Sequence, residues 1–356
     1  MVISDTLVHL LRDNYLEAKI RGKKSFLLQR QQLLSLAEIP TLSDIVAALA
    51  DGPYGSELSK LQEVSSAVET ERAIQRGFAG SVNNLVSGSK GNVRQFLLEY
   101  VRRFDAYDLA TLVMFKSQGK TWEEFSTARQ PLGGVREGQL RRLYMMDDLR
   151  ESVRIIGDKT LEERTGDIDL EEMPPEKAAL VRDIFTGWGE ERFYNYVVKR
   201  LHGRDRSSCL PIVGATVDLL NLSIVLRSKL IGVSNIEEHL VPVHWRLDKQ
   251  SIGRLLATTD LDETLEKAGS LTQYSRLMAN ARQRHEETKS LAFLEMDVKR
   301  YLVGQARRIF LGFPYTIGVV LAFLIFKENE ARGLAAVISG VASGLKPDQV
   351  KALITV

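Results

Sequence analysis

The 356 residues carry 48 Lys and Arg against 46 Asp and Glu, and a net charge of +2 argues against a dominant nucleic-acid footprint, which needs a clustered basic excess. With 44% hydrophobic and 26% charged residues, the composition excludes an extensively disordered chain and allows two or three domains of on the order of 100 to 150 residues each. Cys209 is the only cysteine, which excludes an intrachain disulfide or a multi-cysteine metal site and fits a reducing cytoplasm.

In chain order, Met1-Val2-Ile3-Ser4-Asp5 lacks the basic, apolar and small-residue succession of a secretory signal. Apolar residues then recur at helical spacing, as in Leu97, Leu98, Val101 and Phe104, and strand-like alternation is scarce. Breaks are predicted at Gly52-Pro53-Tyr54-Gly55, Ser87-Gly88-Ser89-Lys90-Gly91, Met173-Pro174-Pro175 and His202-Gly203-Arg204-Asp205, with an exposed acidic connector from Gly166 to Glu172. The expected fold class is all-α.

The stretch from Phe104 to Gly119 is repeated from Val217 to Gly232 without a gap, with Asp, Leu, Lys and Gly positions coinciding. A third copy runs from Asn329 and Glu330 to Gly344, so the glycines at 119, 232 and 344 stand 113 and 112 residues apart. After each glycine a new helix is expected. Thr121-Trp122-Glu123-Glu124 and Ser234-Asn235-Ile236-Glu237 read as capping boxes, and Lys346-Pro347-Asp348-Gln349 keeps that logic with Pro at the first helical position. Gly138 to Leu143 and Ser251 to Leu256 extend the likeness, each followed by Asp-Leu, and Asp13-Asn14-Tyr15 through Ala18 is a weaker copy. A period of about 113 residues is the size of a small domain rather than a short solenoid unit. Three homologous helical domains follow, cut at 1–125, 126–238 and 239–356.

Gly119-Lys120-Thr121 imitates the end of a phosphate-binding loop. The glycine required five positions earlier is Met114, and a helix is expected where the motif needs a strand. The repeat explains it instead as a helix stop and a cap. His9, His202, His239, His244 and His285 lack paired metal-ligand spacing, and Gly340-Val341-Ala342-Ser343-Gly344 carries its serine one place too late for a nucleophile elbow. Arg21-Gly22-Lys23-Lys24 reads as a solvated helix end. No catalytic, cofactor-binding or metal-ligating residue is expected, and no cofactor. The apolar run Ile309 to Phe326 is broken by Gly312, Pro314 and Gly318. A helix from Pro314 to Phe326 would reach only about 20 Å, short of a hydrocarbon core, so a buried core helix starting near Pro314 is predicted.

Phe313-Pro314-Tyr315-Thr316-Ile317-Gly318 through Glu330-Ala331-Arg332-Gly333-Leu334 resembles the end segment of the C-type central-stalk family of archaeal-type rotary ATPases, whose vacuolar homologue is the d-type component. Asp218 to Gly232 and Tyr15 to Arg21 are similar to two further segments of that family. The Gly166–Pro175 connector looks like an insertion, and Gly333 and Ser223 depart from the pattern. The resemblance implies a funnel-like collar of three similar domains that acts as a non-catalytic central-stalk (rotor) subunit on the cytoplasmic face of the membrane. Its implied partners are the proteolipid ring, with membrane contact only through that ring, and the central shaft subunits D and F. No nucleic acid is implied. The rival readings are a soluble helical adaptor unrelated to ATPases and a nucleotide-binding enzyme using Gly119-Lys120-Thr121.

Overall fold

A computed structural model describes residues 18–61, 66–129, 131–146, 151, 154, 159–165, 175–232 and 236–354. Among these the regular elements are helices and no strand occurs, as the spacing of apolar residues predicts. After a helical stretch over 18–25 come α1 (Arg30–Leu36), α2 (Leu42–Leu49), α3 (Gly55–Leu58), α4 (Ala67–Gly88), α5 (Gly91–Ser117), α6 (Trp122–Ala128), α7 (Glu137–Tyr144) and α8 (Lys159–Thr165). The second half holds α9 (Pro175–Arg200), α10 (Gly203–Ile231), a 3-10 turn (Glu237–His239), α11 (Lys249–Leu256), α12 (Leu261–Leu271), α13 (Ser275–Thr288), α14 (Ala292–Leu311), α15 (Ile317–Ala342) and α16 (Pro347–Leu353).

The described residues form two compact units. The first takes the chain up to Leu97, then Leu201–Pro211 and Lys299 onward. Its centre is α15, which packs against α4 and α16 and also meets α1 and α2. Apolar side chains surround α15, with Ile317 to Leu324, Leu334, Val337 and Ile338 all buried, the pattern of a helix enclosed by protein. The predicted buried helix is therefore present, but it begins at Ile317 rather than at Pro314. Tyr315 has a left-handed backbone (φ 64°), which keeps Pro314 outside the helix, and Thr316 is the extended residue before its first turn.

The second unit comprises Leu98–Arg200 and Ile212–Val298. One core gathers Leu109 and Val113 of α5, Trp122 and Phe125 of α6, Leu140 and Leu143 of α7, and Val181, Phe185 and Trp188 of α9. Phe125 stacks on Tyr144 and tilts against Trp122. Arg103 of α5 is buried and donates from Nη2 and Nε to Glu190 Oε1 of α9 at 2.5 and 3.0 Å, and Tyr107 donates to the same oxygen at 2.6 Å. Such a buried pair holds one registration between two helices, because either charge left alone would be costly.

Helix α10 is apolar and long enough, by length and composition, to cross a membrane, yet 72% of its most apolar stretch is buried inside the protein. Cys209 lies in it, buried, and burial pushes its thiol pKa up, so it is a poor nucleophile. The expected acidic connector 166–172, the Asp13 copy and the Ser234 cap lie outside the described residues, apart from Ala18 and Ile236-Glu237.

Candidate functional site

The phosphate-loop imitation at Gly119 is a helix junction. Gly119 has φ 64°, and its amide donates back to the Lys116 carbonyl at 3.0 Å while the Lys120 amide reaches the Phe115 carbonyl at 2.9 Å. This six-to-one, five-to-two pairing satisfies carbonyls at the end of α5. Thr121 Oγ1 then accepts the Glu124 amide at 3.2 Å and the Thr121 amide donates to Glu124 Oε2 at 2.7 Å, a complete capping box. The amides of residues 118 to 121 are thus spent on protein acceptors, and none is left to cradle a phosphate. Lys120 pairs with Glu124 at 3.2 Å on the surface. Gly344 repeats the construction: φ 70°, its amide on the Val341 carbonyl at 3.0 Å and the Leu345 amide on that of Gly340 at 3.0 Å. Gly232 closes α10 with φ 70°. At the third junction Pro347 opens α16, and Gln349 accepts the Lys346 amide at 2.9 Å.

Within the long helices, acids stand at matching intervals: Asp105 on α5, Asp218 on α10 and Glu330 on α15, 113 and 112 residues apart. Each accepts backbone amides from the segment entering a short helix. Asp105 takes the Val135 amide at 2.9 Å, just before α7. Asp218 takes those of Trp245, Arg246 and Leu247 at 3.1, 3.0 and 3.2 Å, just before α11. Glu330 takes that of Leu28 at 2.6 Å, just before α1. Tyr274 donates its hydroxyl to Asp218 at 2.9 Å, and Tyr54 donates to Glu330 at 2.8 Å. Burial pushes the Asp218 carboxyl above its usual range, partly opposed by these donors.

Glu330 carries one further partner. Lys327 Nζ lies 2.5 Å from its Oε2 and 4.0 Å from the centre of the Tyr54 ring, with the side chain 3% exposed. Burial pushes the Lys327 ammonium below its usual range, against the pull of Glu330, and burial together with Glu330 pushes the Tyr54 hydroxyl up. The cluster is a structural corner with all its charges engaged, and nothing in it resembles an activated nucleophile or base. The sequence repeat marks these acid positions without showing what they bind.

The starts of the long helices also match. Gly91, Gly203 and Tyr315, spaced 112 residues apart, have φ 57°, 53° and 64°, so the third position bears a bulky side chain in a conformation that suits glycine. Around Tyr315 the connection is exposed and apolar: Leu311 is 84% exposed, Phe313 53% and Tyr315 52%. Arg204 stacks on Phe313 with its guanidinium carbon 3.9 Å from the ring centre. The Asp205 carboxylate accepts the Ile317 amide at 2.8 Å, fixing the first turn of α15.

Of the histidines, His202 is exposed and His285 is buried, while burial, aided by Lys249, pushes His244 below its usual range. Among the described residues no three His, Cys, Asp or Glu side chains gather as a metal set.

Comparison with known proteins accounts for nearly the whole chain. Across 99% of this chain and 88% of the relative, it is 23% identical to the A-type ATP synthase C-type component of Methanocaldococcus jannaschii. It is 25% identical to that of Pyrococcus furiosus over 96% and 90%, and 22% identical to that of Halorubrum lacusprofundi over 95% of each. The profile of the ATP synthase (C/AC39) subunit matches residues 16–353, and the chain belongs to that family.

Proposed function

We propose that this chain is a non-catalytic central-stalk subunit of an A/V-type ATPase, joining the central shaft to the membrane proteolipid ring and turning with both. The observation that carries the reading is the likeness to the C/AC39 components of A-type ATP synthases along almost the full length. A torque coupler needs a stiff body and docking surfaces. Long buried helices, two of them tied by the buried Arg103–Glu190 pair and closed by capped junctions, suit that need. The matching junctions at 119, 232 and 344 and the matching acid corners support three homologous modules, with the third completed by residues near the start of the chain.

The partners in this reading are the ring and the shaft subunits D and F, at the cytoplasmic face of the membrane. Affinity purification of the tagged chain from native membranes, with crosslinking before solubilisation, is the test. Recovery of ring and shaft proteins together supports the reading. Recovery of neither would leave a helical adaptor as the better description. Mg-ATP titration calorimetry addresses the nucleotide-enzyme alternative: heat of binding that vanishes in Lys120→Ala would overturn the assignment of Gly119-Lys120-Thr121 as a junction.

A further inference from the structure

We propose that the turn Leu311-Gly312-Phe313-Pro314-Tyr315 is a docking surface for an anionic phospholipid headgroup layer. The inference does not rest on the central-stalk reading, and it departs from the expectation that membrane contact runs only through the ring. Three large apolar side chains within five residues are more than half exposed, which marks an interaction site rather than scattered surface hydrophobicity.

The charge in the two segments that form the turn is predominantly positive. Arg307 and Arg308, exposed, stand on the last turns of α14, three and four residues before Leu311 and so on its side of the helix. Arg204 and Arg206 are exposed as well, and Arg204 lies against Phe313. In the segments 201–208 and 305–316 Asp205 is the only carboxylate, and its Oδ1 is engaged by the Ile317 amide. Guanidinium groups beside Leu, Phe and Tyr match the two layers of a bilayer surface: phosphates for the former, the acyl boundary for the latter. A protruding turn suits shallow insertion into a deformable surface, whereas a protein partner would need a pocket shaped for Leu311.

The backbone adds an independent observation. Gly91 and Gly203 occupy the positions matching Tyr315, so at this turn alone the left-handed residue adds an aromatic ring, half exposed beside Phe313 and Leu311.

The test is co-sedimentation of the full chain with phosphatidylcholine vesicles, with and without phosphatidylglycerol. Binding is expected only with the anionic lipid and should weaken as salt rises. Each arginine near the surface contributes about 5-fold to partitioning, so the double variant R307E/R308E should lose at least about 25-fold. Leu311→Ser with Phe313→Ser should abolish binding. Tyr315→Gly removes the ring but suits the left-handed backbone, so the variant should still unfold cooperatively while vesicle binding weakens. Absence of binding to anionic vesicles at low salt, or binding indifferent to these variants, overturns the proposal. Capture of a membrane-sector protein by the turn without any affinity for vesicles would likewise overturn it and assign the surface to protein. Failure to recover ring and shaft proteins would leave the vesicle result standing.

Discussion

At Asp218 the carboxylate gathers amides that lie 27 to 29 residues further along the chain, whereas at Glu330 it gathers the amide of a residue 302 positions away. The local chemistry is nearly the same, down to the tyrosine hydroxyl that completes each corner. The cost of closing the chain is not. By loop-closure scaling the longer closure costs about 2 kcal/mol more. The distant corner has shorter contacts and one further charged partner: a 2.6 Å amide bond, and Lys327 of the same helix, which pairs with Glu330 and lies over the Tyr54 ring. A corner closed by neighbouring chain can rely on backbone amides; one closed across the sequence recruits a buried charge to hold it.

The largest expected effect follows from that buried charge. Glu330→Ala leaves the Lys327 ammonium without its counter-ion and should cost about 3 to 5 kcal/mol in urea unfolding, with much of the loss recovered by adding Lys327→Met. If the two substitutions were additive, the ion pair would not be what secures the distant corner. Asp218→Ala should cost about 2 to 4 kcal/mol, because three amides and a hydroxyl lose one acceptor. A loss at Asp218 well above that at Glu330 would remove the contrast between the corners.

The pH response sharpens the comparison. Burial raises the folded pKa of Asp218 above the unfolded value of about 3.9, so the folded state holds the proton more tightly. Its contribution is present in full below the unfolded pKa and is lost as pH rises through the folded one. Stability of the wild type relative to Asp218→Asn should therefore fall as pH is raised from about 4. An opposite slope in paired urea titrations would mean that the four donors outweigh burial.

Smaller effects come from single hydrogen bonds. Tyr274→Phe and Tyr54→Phe should each cost about 1 kcal/mol in thermal or urea unfolding. At the α5–α6 junction, Thr121→Ala should cost about 0.5 to 2 kcal/mol through the lost cap, and Gly119→Ala about 1 kcal/mol through its left-handed backbone. Lys120→Ala should stay within about 0.5 kcal/mol, as an exposed pair contributes little.

The features legible in the sequence are those written in short-range spacing. The glycine stops, the Thr121 capping box and Pro347 at the head of α16 each depend on residues within a few positions, and the composition carries their signature. The acid corners are half visible. The repeat aligns Asp105 with Asp218, but an amide acceptor and an ordinary solvated carboxylate look alike when the donor lies far along the chain. Glu330 is harder still, since its donors Leu28 and Tyr54 lie at the other end of the sequence and nothing local couples them. The start of α15 falls later than the sequence predicts because Pro suits a first helical turn in general. Here the next residue adopts a left-handed backbone, a choice that a tyrosine does not advertise. The basic stretch at Arg21 is the exposed helix end that its sequence predicts, and Arg21 and Lys24 also lie over the Phe310 ring, at 5.1 and 5.0 Å.

The long reach from Leu28 to Glu330 has a consequence for engineering by permutation. The Lys351 ammonium already meets Glu38 at 2.7 Å, so the last helix lies beside the turn that follows α1. A chain opened between Lys60 and Ser66 and joined from residue 356 to residue 1 would present all three acid corners in the same order, each acid followed by the segment that it gathers. Such a permutant cuts the longest closure among these corners from 302 residues to about 54. It should refold faster than the parent while keeping the same packed corner, because the contact is unchanged and only its separation along the chain is shortened.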